Sequence, residues 1–267
     1  MNLGGENIPY KTIKFSKNEI YIKNKIFKYY SSPLLSKNKF KHGFFTKSGS
    51  EKYLSLMSDD FNQNVNNCSL NQIHSSKIVF GSITQSRTNV QADGIVCDKS
   101  NQNLWVYTAD CMPILFADKC KRYVAALHCG RKGLEKRIIK NLIKVFDKLG
   151  SSREDILVAI GPSISKKYYL VDKKTLIKFY KKSNSKLLTN YIKHTGRIFD
   201  LRDLIISKDQ DLIQLDLKKY AHIQLLNENI PNSNIDISSL CTYESENEFN
   251  SWRRSKTKLR QWNFISS

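Results

Sequence analysis

Residues 111–130 read CMPILFADKCKRYVAALHCG. Two apolar runs, Met112–Ala117 and Tyr123–Leu127, flank the polar stretch Asp118-Lys119-Cys120-Lys121-Arg122, the pattern of an antiparallel β-hairpin. With the turn centred near residues 119–120, Cys111 faces His128 at the open end of the hairpin. Directly opposed residues carry their Cβ atoms about 4.5–5.5 Å apart, close enough to share a metal ion or a proton. Pro113 falls early in its strand, where a missing N–H is tolerated. A turn displaced by one residue would put the two side chains on opposite faces.

Working outward, further apolar runs at Ile73–Phe80, Ala92–Cys97 and Leu104–Thr108 join the hairpin in a β-rich centre. On the C-terminal side, Leu134, Ile138, Leu142, Val145, Phe146 and Leu149 follow helical spacing, predicting one helix over 134–149 that Gly150 stops. Ile156–Ile160 reads as a buried strand closed by Gly161-Pro162. Asp172 can cap a helix to about Tyr180. A loop-rich stretch over 183–197 precedes a helix from Asp200 to about Leu215, and short strands are expected at His222–Leu226 and Ile235–Leu240. A basic tail holds Trp252, Arg253, Arg254, Arg260 and Trp262. On the N-terminal side, Lys11–Phe15, Glu19–Ile22 and Lys25–Tyr30 read as short strands. His42-Gly43-Phe44-Phe45 reads as an apolar pair between turn residues, and 50–70 as loop or short helices. No repeat or linker divides the chain, so the expectation is a single α/β domain over 1–267, a mixed β-sheet flanked by helices.

Composition narrows the function classes. The 267 residues include only 11 Gly and 5 Pro, which excludes collagen-like or linker-rich architecture. No run approaches the roughly 18 apolar residues of a membrane span, and the N-terminus lacks a basic-then-apolar leader, so a cytoplasmic protein without membrane contact is expected. Lys and Arg total 44 against 24 Asp and Glu, a formal charge of +20. The lysines are dispersed without a block of like charge, as on a solvated surface, so a nucleic-acid partner is disfavoured while an anionic substrate is welcome. The six cysteines, Cys68, Cys97, Cys111, Cys120, Cys129 and Cys241, show no C-x-x-C and no dense framework, so reduced thiols are expected.

Of five histidines, His194 and His222 read as structural. His74, at the start of a strand-like run, can complete a two-His, one-Cys set with Cys111 and His128. Three protein ligands with an open fourth position is the arrangement of a catalytic zinc, and thiolate plus imidazole suits Zn²⁺ better than Mg²⁺ or Ca²⁺. A Cys111–His128 nucleophile dyad and a purely structural hairpin end are the alternatives that spacing leaves open.

Several motifs in fixed order extend this reading: His42-Gly43-Phe44-Phe45-Thr46, Gln72-Ile73-His74, Ala92-Asp93-Gly94-Ile95-Val96, Thr108-Ala109-Asp110-Cys111-Met112-Pro113, Ala125-Ala126-Leu127-His128-Cys129-Gly130, Ala159-Ile160-Gly161-Pro162, Asp200-Leu201 and Cys241-Thr242-Tyr243. In these the chain resembles the YfiH/FAMIN family, long labelled multicopper polyphenol oxidases (laccases) and now regarded as zinc-dependent purine nucleoside enzymes. The resemblance runs from about His42 to the C-terminus, leaving 1–41 as a variable part, and implies α-β-α layering. It implies zinc on His74, Cys111 and His128. It also implies phosphorolysis of adenosine, guanosine, inosine and methylthioadenosine, and deamination of adenosine to inosine. Copper is the less favoured metal.

The chain departs from the family at Arg131-Lys132 (family Trp-Arg), Ser163 (Cys), Thr46-Lys47-Ser48-Gly49 (Thr-Arg-x-Gly), Glu244 (Cys) and Ser255-Lys256 (Asp-Gly). Lys132 keeps the charge of an arginine but not its bidentate fork. Beside Cys111 and His128, Asp93 and Asp110 are the candidates to move protons, Asp110 alternatively orienting a ligand. Lys47, Arg253 and Arg254 are the candidate phosphate contacts. Rival functions are a laccase-like copper oxidase, for which five histidines and no His-x-His supply too few ligands, a peptidoglycan-precursor editing hydrolase, and a nucleic-acid-binding protein using the basic tail. Oligomeric state is left open.

Overall fold

The hairpin at the centre of the sequence is also the centre of the computed structural model, which describes residues 10–22, 24–49, 65–87, 89–182 and 212–267. In chain order the first elements are β1 (Ser16–Ile22), β2 (Lys25–Ser31), α1 (Pro33–Lys37), β3 (His42–Phe45), β4 (Asn66–Cys68), β5 (Ile78–Phe80) and α2 (Gly81–Ser86). The centre follows as β6 (Gly94–Val96), β7 (Gln102–Thr108), β8 (Met112–Asp118), β9 (Val124–Cys129), α3 (Arg131–Glu135), α4 (Ile138–Lys148) and β10 (Ile156–Ile160). The last part supplies β11 (Leu170–Asp172), α5 (Lys173–Lys182), β12 (Leu212–Gln214), α6 (Leu217–Asn227), β13 (Ile235–Ile237), α7 (Trp252–Ser255) and β14 (Gln261–Ser266).

The expected α/β class with mixed pairing is what the chain adopts, and the mixed sheet occurs twice. One six-stranded sheet runs β1-β2-β3-β14-β7-β4, the other β13-β10-β8-β9-β6-β5, and β11 and β12 form a separate pair. Side chains alternate along β8: Leu115 and Ala117 join Leu104, Val106, Phe44 and Ile265 between the two sheets. Ile114 and Phe116 point the other way, into a core with Leu142 and Phe146 of α4 and Ile223 of α6. Burial on both faces explains why β8, β9 and β10 read as unbroken apolar runs. The sheets meet closely at Gly161, where a Cβ would lie 2.3 Å from the Phe44 ring.

Several expectations are corrected. The hairpin register pairs His128 with Pro113, not Cys111. The slip is two residues, so Cys111 and His128 keep a common face. The turn is closed by Asp118, whose Oδ1 accepts the Cys120 and Lys121 N–H groups, each at 2.8 Å. The helix expected over 134–149 is two, α3 and α4, broken where Arg137 takes a left-handed φ of 59°. His222–Leu226 is helical, not extended. Asp216 caps α6 through the Lys219 N–H, and the helix is buried nearly all round, which erases the amphipathic period a sequence reading needs. Leu212–Gln214, expected near the end of a helix, is a strand and Leu215 after it is non-helical, while residues 200–211 of that helix, like the loop over 183–197 and His194, lie outside the described residues. His42–Phe45 is a fully buried strand, and Lys11–Phe15 contributes only an isolated bridge, Ile13 with Ser238. Of Ile73–Phe80 only the last three residues are strand. The tail is not a free basic arm: β14 lies inside the first sheet with Trp262 and Phe264 buried. The Asp172 cap is present, accepting the Thr175 N–H at 2.6 Å. No helix among the described residues is long and apolar enough to cross a membrane.

Candidate metal centre

His128 is the penultimate residue of β9, Cys111 sits one residue before β8, and His74 lies in the loop leading to β5. Their donor atoms all fall within 4.8 Å of one another. His74 Nε2 is 3.8 Å from the Cys111 sulfur, and the two imidazoles meet edge to face at 4.7 Å between centroids.

One buried carboxylate builds this arrangement. Asp93 precedes β6 and is fully buried. Its backbone oxygen accepts the His128 N–H at 2.8 Å, and its Oδ1 lies 2.8 Å from His128 Nδ1, leaving Nε2 as the free donor atom. The same carboxylate accepts the N–H groups of Ile73 and His74 (3.3 and 3.0 Å) and the Ser75 hydroxyl (2.7 Å). His74 can therefore hold a left-handed φ of 56°, with Lys136 Nζ donating to its carbonyl at 3.0 Å. Burial pushes the Asp93 carboxyl up, but His128 and Ser75 outweigh it and hold the group at about 2. Burial likewise opposes charge on Cys111 and His128. The two offset it for each other, drawing the thiol well below its usual range and the imidazole above it, with His74 and Asp93 assisting. Gly130 lets the cluster close, because a Cβ there would stand 2.6 Å from the Cys111 sulfur. Two imidazoles and a readily ionised thiol on a rigid, carboxylate-braced frame fit a borderline-soft divalent ion.

The cluster forms part of the wall of a cleft of about 580 Å³. Aromatic Tyr107, Tyr169 and Trp252 and cationic Arg131, Lys132, Arg253 and Arg260 line the same space, with Gln72 and Thr108. Gln72 is pinned to β7, accepting the Tyr107 N–H and donating to its carbonyl. Arg253 lies 4.8 Å from the Tyr169 ring and donates to the Leu170 carbonyl.

The remaining sequence candidates divide. Asp110 reaches the cleft wall, but its carboxylate holds the Thr242 hydroxyl at 2.7 Å and the Arg253 N–H at 2.6 Å, bracing the start of α7. Arg254 is turned away and donates to the carbonyls of Thr242, Tyr243 and Phe249. Lys47 is exposed outside the cleft lining, near the Glu246 carbonyl. Sequence reading missed Tyr107, Arg131 and Tyr169. Arg131 directly follows the His128–Gly130 motif and was findable there, whereas Tyr169 carries no local pattern.

Comparison with known proteins agrees with this fold. Residues 51–267 match the family described as multi-copper polyphenol oxidoreductase laccase. A purine nucleoside phosphorylase of Synechocystis sp. is 33% identical over 184 residues, covering 67% of this chain and 69% of that protein. One of Clostridium acetobutylicum is 32% identical over 199 residues, covering 73% and 75%. For YlmD of Bacillus subtilis, named a purine nucleoside phosphorylase, the aligned part is 33% identical and spans 65% of this chain but only 58% of the relative. Among solved structures, YlmD of Geobacillus stearothermophilus superposes with a TM-score of 0.75 at 22% identity, covering 94% of this chain and 98% of that one. YfiH of Bacillus licheniformis gives 0.70 at 25% identity, covering 86% and 93%. With the family match extending over most of its length, the chain belongs to the multi-copper polyphenol oxidoreductase laccase family, which includes the YfiH proteins.

Proposed function

We propose that this protein is a zinc-dependent purine nucleoside phosphorylase acting on adenosine, guanosine, inosine and methylthioadenosine, with adenosine deamination as a second activity of the same cleft. The observation that carries the reading is the sharing of one cleft by a His74–Cys111–His128 donor set, four cations and three aromatic side chains. The names of the relatives support it. When bound at His74, Cys111 and His128, zinc supplies Lewis-acid charge at the wall of the cleft.

The side chains divide the remaining work. Arg131, Lys132 and Arg253 gather an inorganic phosphate and offset its charge as it attacks the sugar C1′ and the glycosidic bond breaks. Tyr107 and Trp252 offer flat apolar surface to the purine. Asp93 holds His128 in one tautomer, so its contribution is positioning; both its oxygens are occupied by donors that leave little capacity for proton transfer. Asp110 positions Arg253 through the backbone N–H. The products are free base and ribose 1-phosphate, or its 5-methylthio form when the substrate is methylthioadenosine.

The test is mass spectrometry of a purine nucleoside mixture incubated with the protein, with and without phosphate. Base and ribose 1-phosphate formed only with phosphate supports phosphorolysis, and inosine from adenosine in its absence supports deamination. No product from any nucleoside overturns both, and phenol-dependent oxygen uptake by copper-loaded protein would favour the oxidase reading. Within the phosphorylase reading, Arg253→Ala is expected to raise the KM for phosphate about tenfold, the loss of roughly one charge-assisted contact.

A further inference from the structure

A second donor cluster sits at the other end of β8. Asp118, Cys120 and Asp155 offer two carboxylates and a thiol with ligand atoms within 4.8 Å of one another. Cys111 and Asp118 bracket the strand, so roughly 23 Å of extended chain separates this cluster from the histidine-containing one.

Sheet register makes the cluster rigid. Ile156 pairs with Asp118, and the Lys119 N–H donates to the Asp155 carbonyl at 3.0 Å, which fixes Asp155 beside the hairpin turn. Asp118 is fully buried, and while its Oδ1 accepts the two turn N–H groups, its Oδ2 has no hydrogen-bond partner. A buried carboxylate oxygen left without a donor is costly unless something positive reaches it. Lys119 Nζ lies 3.4 Å from Asp155 Oδ1 and donates to the Glu154 carbonyl at 2.9 Å, on a side chain 40% exposed, so an ion at Asp155 has to displace only the first of these two contacts. The hairpin turn also leaves Cys120 exposed, giving an ion a route in from solvent.

We propose that Asp118, Cys120 and Asp155 form a second divalent-cation site, independent of the cleft. Two oxygens and one sulfur favour Zn²⁺ or Cd²⁺ over Mg²⁺ or Ca²⁺, with water completing the coordination. Binding replaces the Cys120 thiol proton, which is released to solvent.

Cadmium titration of metal-stripped full-length protein tests this, read by bound stoichiometry and by the ultraviolet thiolate-to-cadmium band. Wild type is expected to take two ions. His128→Ala should retain one ion together with a thiolate band, and Cys120→Ala should lose the second ion or bind it at least tenfold more weakly. Cys120 is exposed, so its replacement leaves folding intact. Asp155→Asn gives an independent arm and should weaken the same ion. A wild-type stoichiometry of one, or a Cys120→Ala variant that binds as much cadmium as wild type with equal affinity, would overturn the site.

Discussion

Gly130→Ala separates the metal centre from the fold that carries it. Gly130 has φ −91° and ψ −176°, an extended conformation that alanine adopts without strain. A Cβ at this position would nevertheless stand 2.6 Å from the Cys111 sulfur and 3.6 Å from His74 Cδ2. Nonbonded heavy atoms settle at about 3.5–4.0 Å, so the thiol must retreat by about 1 Å. Ligand distances in a working site hold to about 0.2 Å, so that retreat breaks the three-donor geometry. Zinc affinity is expected to fall about 10–100-fold, or about 1.4–2.7 kcal/mol. Stability of the metal-free protein should stay level or rise by about 0.4–1 kcal/mol, because alanine restricts the unfolded chain. Competition against a chelator gives the affinity and thermal melts of stripped protein give the stability. A variant that binds zinc as tightly as wild type would refute the reasoning, since the sulfur would then have no need of the space Gly130 leaves.

Other perturbations probe the frame around the cluster. Asp93 is held at about 2 in the folded chain against an ordinary 3.8, so its contribution of about 2 kcal/mol is present above pH 3.8 and lost as pH falls through 2; acid unfolding of stripped protein should shift accordingly, and Asp93→Asn should flatten that limb. In stripped protein Cys111 should be alkylated by iodoacetamide with an apparent pKa well below 9.0, and His128→Ala should slow the reaction at neutral pH by removing the main stabilising charge; equal rates in both proteins would contradict the pairing. Arg254→Ala should cost about 2–4 kcal/mol in urea melts by stranding the Thr242, Tyr243 and Phe249 carbonyls, whatever its effect on turnover.

The parts of this molecule legible in sequence are those where local pattern and burial agree. Ile156–Ile160 and the two arms of the hairpin are apolar throughout because both faces are covered, and they appear as strands at nearly the expected bounds. The metal-type cluster was reachable from two facts, a cysteine and a histidine at one hairpin end and a third donor at another loop. It survived a register error because a two-residue slip preserves the face. Where the reading failed, tertiary packing overrode pattern. α6 is buried on nearly every side, so His222–Leu226 shows no helical period, and the basic tail conceals a strand that completes the first sheet. The cations divided for a reason sequence does not carry. Arg253 and Arg254 are neighbours, yet one faces the cleft and the other is spent on three backbone carbonyls. Tyr169 reaches the cleft from before β11, far along the chain from the metal ligands, and only the fold brings it there.

The most direct test pairs elemental analysis with nucleoside phosphorolysis on wild-type protein and His128→Ala, each purified without added metal and then reloaded with zinc. The expected result is that the variant holds one zinc equivalent fewer than wild type and loses turnover with it, while stripped wild type is inactive until zinc is restored. Equal zinc content in the two proteins, or full phosphorolysis by stripped wild type, would contradict a catalytic metal centre on His74, Cys111 and His128.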